Sequence, residues 1–236
     1  MNKSSYLQPL MPRGGLPQVR ISSLLEYLMV VSNCYKYFQC ERRLFFRGHG
    51  NKDWDLMPSV FRNRNIRERS CVLDFKQYAK SMGVSYDIYR ECDRLLGDMQ
   101  HMEIPTRLLD WTTDPLSALY FACTYNDLSD DDKRNDCCVW VLDPWKWNYS
   151  IGELTHKGRI HDAHIMARVL IAYNWPWIEI WKFVDENTGV NLNKADVFRP
   201  FAVVNPFTSK RKEAQRGCFM VFGYDEKDLR MYRISS

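Results

Sequence analysis

Residues 100–122 read QHMEIPTRLLDWTTDPLSALYFA, and the fold is decided by how that stretch is punctuated. Pro105 cannot continue a helix and biases the residue before it toward extended backbone. The apolar helical periodicity that runs through Ile88, Cys92, Leu95, Leu96 and Met99 therefore ends near residue 102. TRLLDWT (106–112) reads as a short extended segment. Asp114 followed by Pro115 is a helix start, because the carboxylate caps the first turn and proline lacks an N–H that would be unpaired there anyway. The new helix, DPLSALYFACTYN, is expected to carry Leu116, Leu119, Tyr120 and Cys123 inward.

Working outward, strand-like runs occur at RLFFRGHG (43–50), CCVWVLD (137–143), FAVVN (201–205) and GCFMVFG (217–223), of which 137–143 is the most convincing buried strand. Helical patterns occur at 67–81 and 85–102, and Ser23 with Glu26 forms a capping box ahead of Leu24, Leu25, Leu28 and Met29. Residues 51–65 are irregular around Pro58, and 127–136 (DLSDDDKRND) reads as a solvated acidic loop. Residues 1–20 read as a loose lead-in and 21–236 as one domain. Within it, 144–200 is a helical, aromatic-rich insertion with helices at 161–175 and beyond. Strands and helices interleave without regular β-α-β alternation, so the expected class is α+β.

The chain has 236 residues, 45% hydrophobic and 14% aromatic, enough to build a core and exclude extended disorder. A formal charge of +4 is too mild to identify a nucleic-acid binder by itself. The first residues lack the apolar run of a signal peptide, and no stretch approaches the ~20 apolar residues of a membrane span. None of the eight cysteines forms a C-x-x-C pair or zinc-ligand spacing, so reduced thiols in a cytoplasmic protein are the economical account. Cys137 and Cys138 should point to opposite faces of a strand.

Three segments together carry a family resemblance. One is Phe46-Arg47-Gly48 with Trp54, Leu56, Pro58-Ser59 and Phe61-Arg62. The second is the block 100–122 quoted above. The third is Arg211 with Gln215-Arg216-Gly217 and Phe219. On these residues the chain resembles the FRG-domain family, over about 43–223 with 144–200 poorly covered. Met102 and Glu103 depart from the family pattern, which has an aromatic residue and a glycine after Gln-His. If that glycine serves a positive φ, Glu103 must strain or reshape the turn.

The resemblance implies a central mixed or antiparallel sheet of the split ADP-ribosyltransferase kind, flanked by helices. It further implies an NAD-dependent ADP-ribosyltransferase, a toxin or phage-defence effector, consuming NAD without a metal. Arg47, with Gly48 admitting a close ligand, would hold the NAD diphosphate, to which a guanidinium bonds bidentately. Thr106, Arg107, Trp111, Thr112 and Tyr120 would complete the cofactor pocket. Gln215, Glu213 and His101 would act at the ribose, where oxocarbenium character develops. Arg62, Arg64 and Arg211 would grip a DNA or RNA acceptor, with protein as the other acceptor class.

Each role has a plainer rival. Arg47 pairs with a buried carboxylate such as Asp110; Trp111 and Tyr120 are core; His101 is structural; Gln215 pins a strand edge; His161 and His164 are surface residues. Two further functions compete with the transferase. One is a non-catalytic nucleic-acid or nucleotide-binding module, and the other a metal-independent nuclease using His101 with a carboxylate.

Overall fold

A computed structural model describes residues 18–40, 43–63, 65–87, 91–124, 136–150, 199–204, 217–223 and 228–231. Two compact units are distinguished, 1–44 and 45–236. In the first, helix α1 (Leu24–Tyr37) starts at Ser23, whose Oγ accepts from the Glu26 N–H at 3.2 Å. The Glu26 carboxylate reaches back to Ser22 rather than Ser23, accepting from its N–H and its hydroxyl, both at 2.8 Å. Tyr27 and Val31 are the buried positions of this helix.

The second unit is built on a five-stranded, wholly antiparallel sheet. Its strands are β1 (Phe45–His49), β2 (Leu108–Thr112), β3 (Cys138–Leu142), β4 (Phe201–Val204) and β5 (Gly217–Val221), in the order β3-β1-β2-β5-β4. The class is α+β, as expected. The strands supply Phe45, Phe46, Leu108, Leu109, Phe201, Phe219 and Met220 to the core, all almost fully buried. Helices α2 (Ser59–Arg62), α3 (Glu68–Ser81) and α4 (Cys92–His101) fill the stretch between β1 and β2, and α3 and α4 meet through Val72, Phe75, Leu95 and Met99. Helix α5 (Pro115–Cys123) follows β2, with the Asp114 carboxylate accepting from the N–H groups of Leu116 and Ser117 as its sequence requires.

Four expectations need correction. The α5 helix does not turn Leu116 and Tyr120 inward; they are 49% and 63% exposed, while Ala118 and Ala122 are buried. Small residues win because the helix lies against β1 at backbone contact, where larger side chains have no room. Strand β3 is only half-buried along its length, being an edge strand rather than a central one. The chain is irregular over 51–58 as expected, but after Pro58 it forms the single turn α2. The helix foreseen from 85 runs from Cys92.

Residues 144–150, at the start of the expected helical insertion, form α6 (Pro144–Ser150), which packs against β4. The buried Asn148 donates from Nδ2 to the Ala202 carbonyl and accepts from the Ala202 N–H through Oδ1, both at 2.8 Å. One side-chain amide thus supplies the pairing that edge strand β4 would otherwise seek from another strand. The helices expected at 161–175 and beyond, with His161 and His164, fall outside the described residues, as does most of the 127–136 loop. No helix among the described residues is long and apolar enough to cross a membrane.

Candidate functional site

The triplet Phe46-Arg47-Gly48 lies inside β1, so the pleat sends its members alternately to the two faces of the sheet. Phe46 pairs with Thr112 of β2 and shares its face. Gly48 lies on that same face, and α5 crosses it directly. A Cβ added to Gly48 would stand 2.0 Å from the Ala118 carbonyl oxygen and 2.7 Å from the Ala122 nitrogen. The close approach that glycine permits is therefore made by the protein's own helix, in place of the ligand expected there.

Arg47 projects to the opposite face. One Nη donates to the backbone carbonyl of Asp110, and Nε donates to His49 Nε2 at 3.0 Å. The rival pairing with the Asp110 carboxylate does not occur: the register sets Asp110 opposite Gly48, on the other face, where its carboxylate accepts from Gln100 Nε2 at 2.7 Å. Both of these acceptors of Arg47 are neutral groups that orient the guanidinium fork. His49 is 3% exposed and stands between Trp54 and Trp140, with ring centroids 6.0 and 6.4 Å away. The Trp140 Nε1–H points at His49 Nδ1 from 3.3 Å. A neutral imidazole has one free lone pair, and two obligate donors compete for it. Burial, joined by the charges of Arg47, Arg62 and Arg230, pulls the His49 pKa down to about 3.

Arg230 enters from the short turn 229–231. It bonds Asp228 and Asp55 and stands 5.8 Å from the Trp140 ring centroid. The turn is fastened by Asp228, which accepts from the Leu56 N–H at 3.0 Å, and by the Leu229 N–H on the Leu56 carbonyl at 3.1 Å. Burial pushes the Asp228 carboxyl up, but its bonds to Arg230 and Leu56 outweigh that and hold it below the usual carboxylate value. Continuing the β1–β2 register sets Trp111 beside Arg47 on this face. Trp111 is 5% exposed, and its Nε1–H is a buried donor with no hydrogen-bond partner. Buried donors are rarely left so, which marks this indole for explanation.

The sheet thus divides the residues expected around NAD. Arg47 and Trp111 share one face; Gly48 and Thr112 share the other. Thr112 Oγ1 accepts from the Asp114 N–H at 3.0 Å and shapes the entry to α5. Thr106 is fully buried and donates to Gln100 Oε1 at 2.5 Å, completing a Thr106–Gln100–Asp110 chain. Arg107 is sealed in a pair with Glu68, with Nε 2.9 Å from one carboxylate oxygen, and also donates to the carbonyls of Phe222 and Gly223. It ties α3 to the end of the sheet. Tyr120 and His101 stand on the surface. Arg62 is exposed and donates to the Met57 carbonyl. Gln215, Glu213, Arg64 and Arg211 lie outside the described residues. In sequence, Gln215 precedes by two residues Gly217, the partner of Thr112 on β5.

His49, Trp140 and Arg230 were not picked out from sequence. For His49 the signal was present, since it stands two residues beyond Arg47 on a strand and must share its face. Trp140 and Arg230 join the cluster only through pairing of β3 with β1 and docking of the last turn. This face can do two things chemically: present oriented guanidinium and indole donors to an anionic or carbonyl-bearing ligand, and flank it with aromatic rings. Of known families, the FRG domain model matches residues 42–131. No curated protein and no solved structure matches the chain.

Proposed function

The chain carries an FRG domain, and from that premise we propose that it is an NAD-dependent ADP-ribosyltransferase acting on nucleic acid or protein, in the manner of a toxin or phage-defence effector. The observation that carries this reading is the posture of Arg47. Its guanidinium is held by the Asp110 carbonyl and His49 on the sheet face that also holds the unpartnered Trp111 donor. An oriented guanidinium suits a diphosphate, to which it bonds bidentately. An indole N–H suits the carboxamide oxygen of nicotinamide. His49, kept neutral, accepts from Arg47 and adds no competing charge. Gln215 and Glu213 are the groups assigned to the ribose as its bond to nicotinamide breaks and ADP-ribose passes to the acceptor.

Incubation of the purified chain with NAD and nucleic-acid or lysate acceptors should release nicotinamide. Arg47→Ala should lower that release by about 100-fold or more, the loss seen when an oriented donor is removed from a reaction centre. Arg47→Lys, which keeps the charge and loses the fork, should restore little. The reading falls if NAD is never consumed while nucleic acid binds in a salt-sensitive way, which is the behaviour of a non-catalytic module.

A further inference from the structure

The spacing of the cysteines along the chain hides one pairing. Cys123 is the last residue of α5 and Cys137 immediately precedes β3; both are exposed and unbridged. Val139 stands opposite Gly48, and the pleat puts Cys137 on the same face as Val139, which is the face α5 covers. Ala122 lies over Gly48, and Cys123 follows it at the end of α5. Cys137 is near enough to be, after burial, the second cause that raises the Cys123 thiol pKa. Cys138 belongs to the other face, opposite His49, and burial pushes its pKa up to about 12.

The geometry points to a dithiol site at Cys123 and Cys137 that is oxidised to a reversible disulfide by exchange with a low-molecular-weight disulfide. The Cys137 thiolate attacks one sulfur of the oxidant, forming a mixed disulfide and releasing one small thiol. Cys123 then loses its proton, attacks the Cys137 sulfur and releases the second thiol. Two cysteines are oxidised and one disulfide is reduced to two thiols. Burial, and then the neighbouring Cys137, raise the Cys123 pKa, which fits it to resolve rather than to attack. The bridge closes the acidic segment 124–136 and fastens the end of α5 to β3. It stands independently of the NAD reading, since it rests on the fold alone.

The test uses the full chain treated with oxidised glutathione, alkylated, digested without reductant and analysed by mass spectrometry. A peptide pair linked through Cys123 and Cys137 should form, disappear with dithiothreitol, persist in Cys138→Ser and vanish in Cys123→Ser. Oxidation should raise the thermal transition by roughly 5–10 °C, as closing a loop of this length constrains the unfolded chain. Phenylarsine oxide, which bridges paired thiols, should bind once per chain in the wild type and in Cys138→Ser, and not in Cys123→Ser. Accumulation of glutathione on Cys123 or Cys137 without a link between them would overturn the proposal. So would a bridge from Cys137 to any other cysteine. Both readings come from the wild-type chain and need no variant to fold.

Discussion

The two faces of β1 differ in what a side chain meets there. On the Gly48 face it meets backbone: α5 at Ala118 and Ala122 lies so close that a single methyl group has no room. On the Arg47 face it meets other side chains, His49, Trp140 and Trp111, arranged around a guanidinium. One peptide bond separates the packing residue from the candidate ligand-binding residue. Neighbours in a motif can therefore be retained for unrelated reasons, and only substitution on each face separates them.

The largest expected effect breaks the packing face. Gly48→Ala should cost about 3 kcal/mol, the upper range for overpacking, because the clashing atoms are helix backbone and cannot rotate away. Chemical denaturation would measure it. A loss comparable to that of Arg47→Ala would erase the distinction between the faces.

The next effect sharpens the other face through pH. His49 is neutral when folded, with a pKa of about 3 against 6.5 in the unfolded chain. Between those values the unfolded state binds the extra proton, so stability should fall as pH drops from about 6 toward 3. The slope from this one group is at most about 1.4 kcal/mol per pH unit. Comparing denaturation midpoints across that window with those of His49→Phe should show a shallower dependence in the variant.

The smallest effect concerns neither face. Helix α4 ends in a Schellman turn, with the Ile104 N–H on the Met99 carbonyl at 3.0 Å and the Glu103 N–H on the Gln100 carbonyl at 3.2 Å. Glu103 occupies the left-handed position at φ 60°. Glycine is the residue that takes that position without penalty. Glu103→Gly should stabilise the chain by about 1 kcal/mol, read as a rise of a few degrees in the thermal transition.

Glu103 also shows how far reading the sequence reached. Its departure from the family pattern pointed to a positive φ, and the backbone has one. Asp114 and Ser23 cap the helices they precede, because capping is decided within three residues of chain. The inward face of α5 was misjudged for the opposite reason. Hydrophobicity favours burying Leu116 and Tyr120, yet the distance between helix and strand, set by Gly48, admits only Ala118 and Ala122. The edge position of β3 was equally hidden, since an apolar run looks alike in the middle of a sheet and at its margin. Asn148 gave no local sign that it would complete the edge of β4, more than fifty residues away.

Chain chemistry alone determined the capped starts of α1 and α5, which runs become strands, the α+β class, and that Arg47 and Gly48 must face opposite ways. These follow from backbone sterics and from the two-residue period of a strand, both local. Tertiary structure decided that α5 lies on Gly48, that Trp140 and Arg230 join His49 beside Arg47, that Arg107 is sealed against Glu68, and that Cys123 meets Cys137. Those outcomes depend on which distant segments share space, and strand order and helix docking fix that only when the whole core closes.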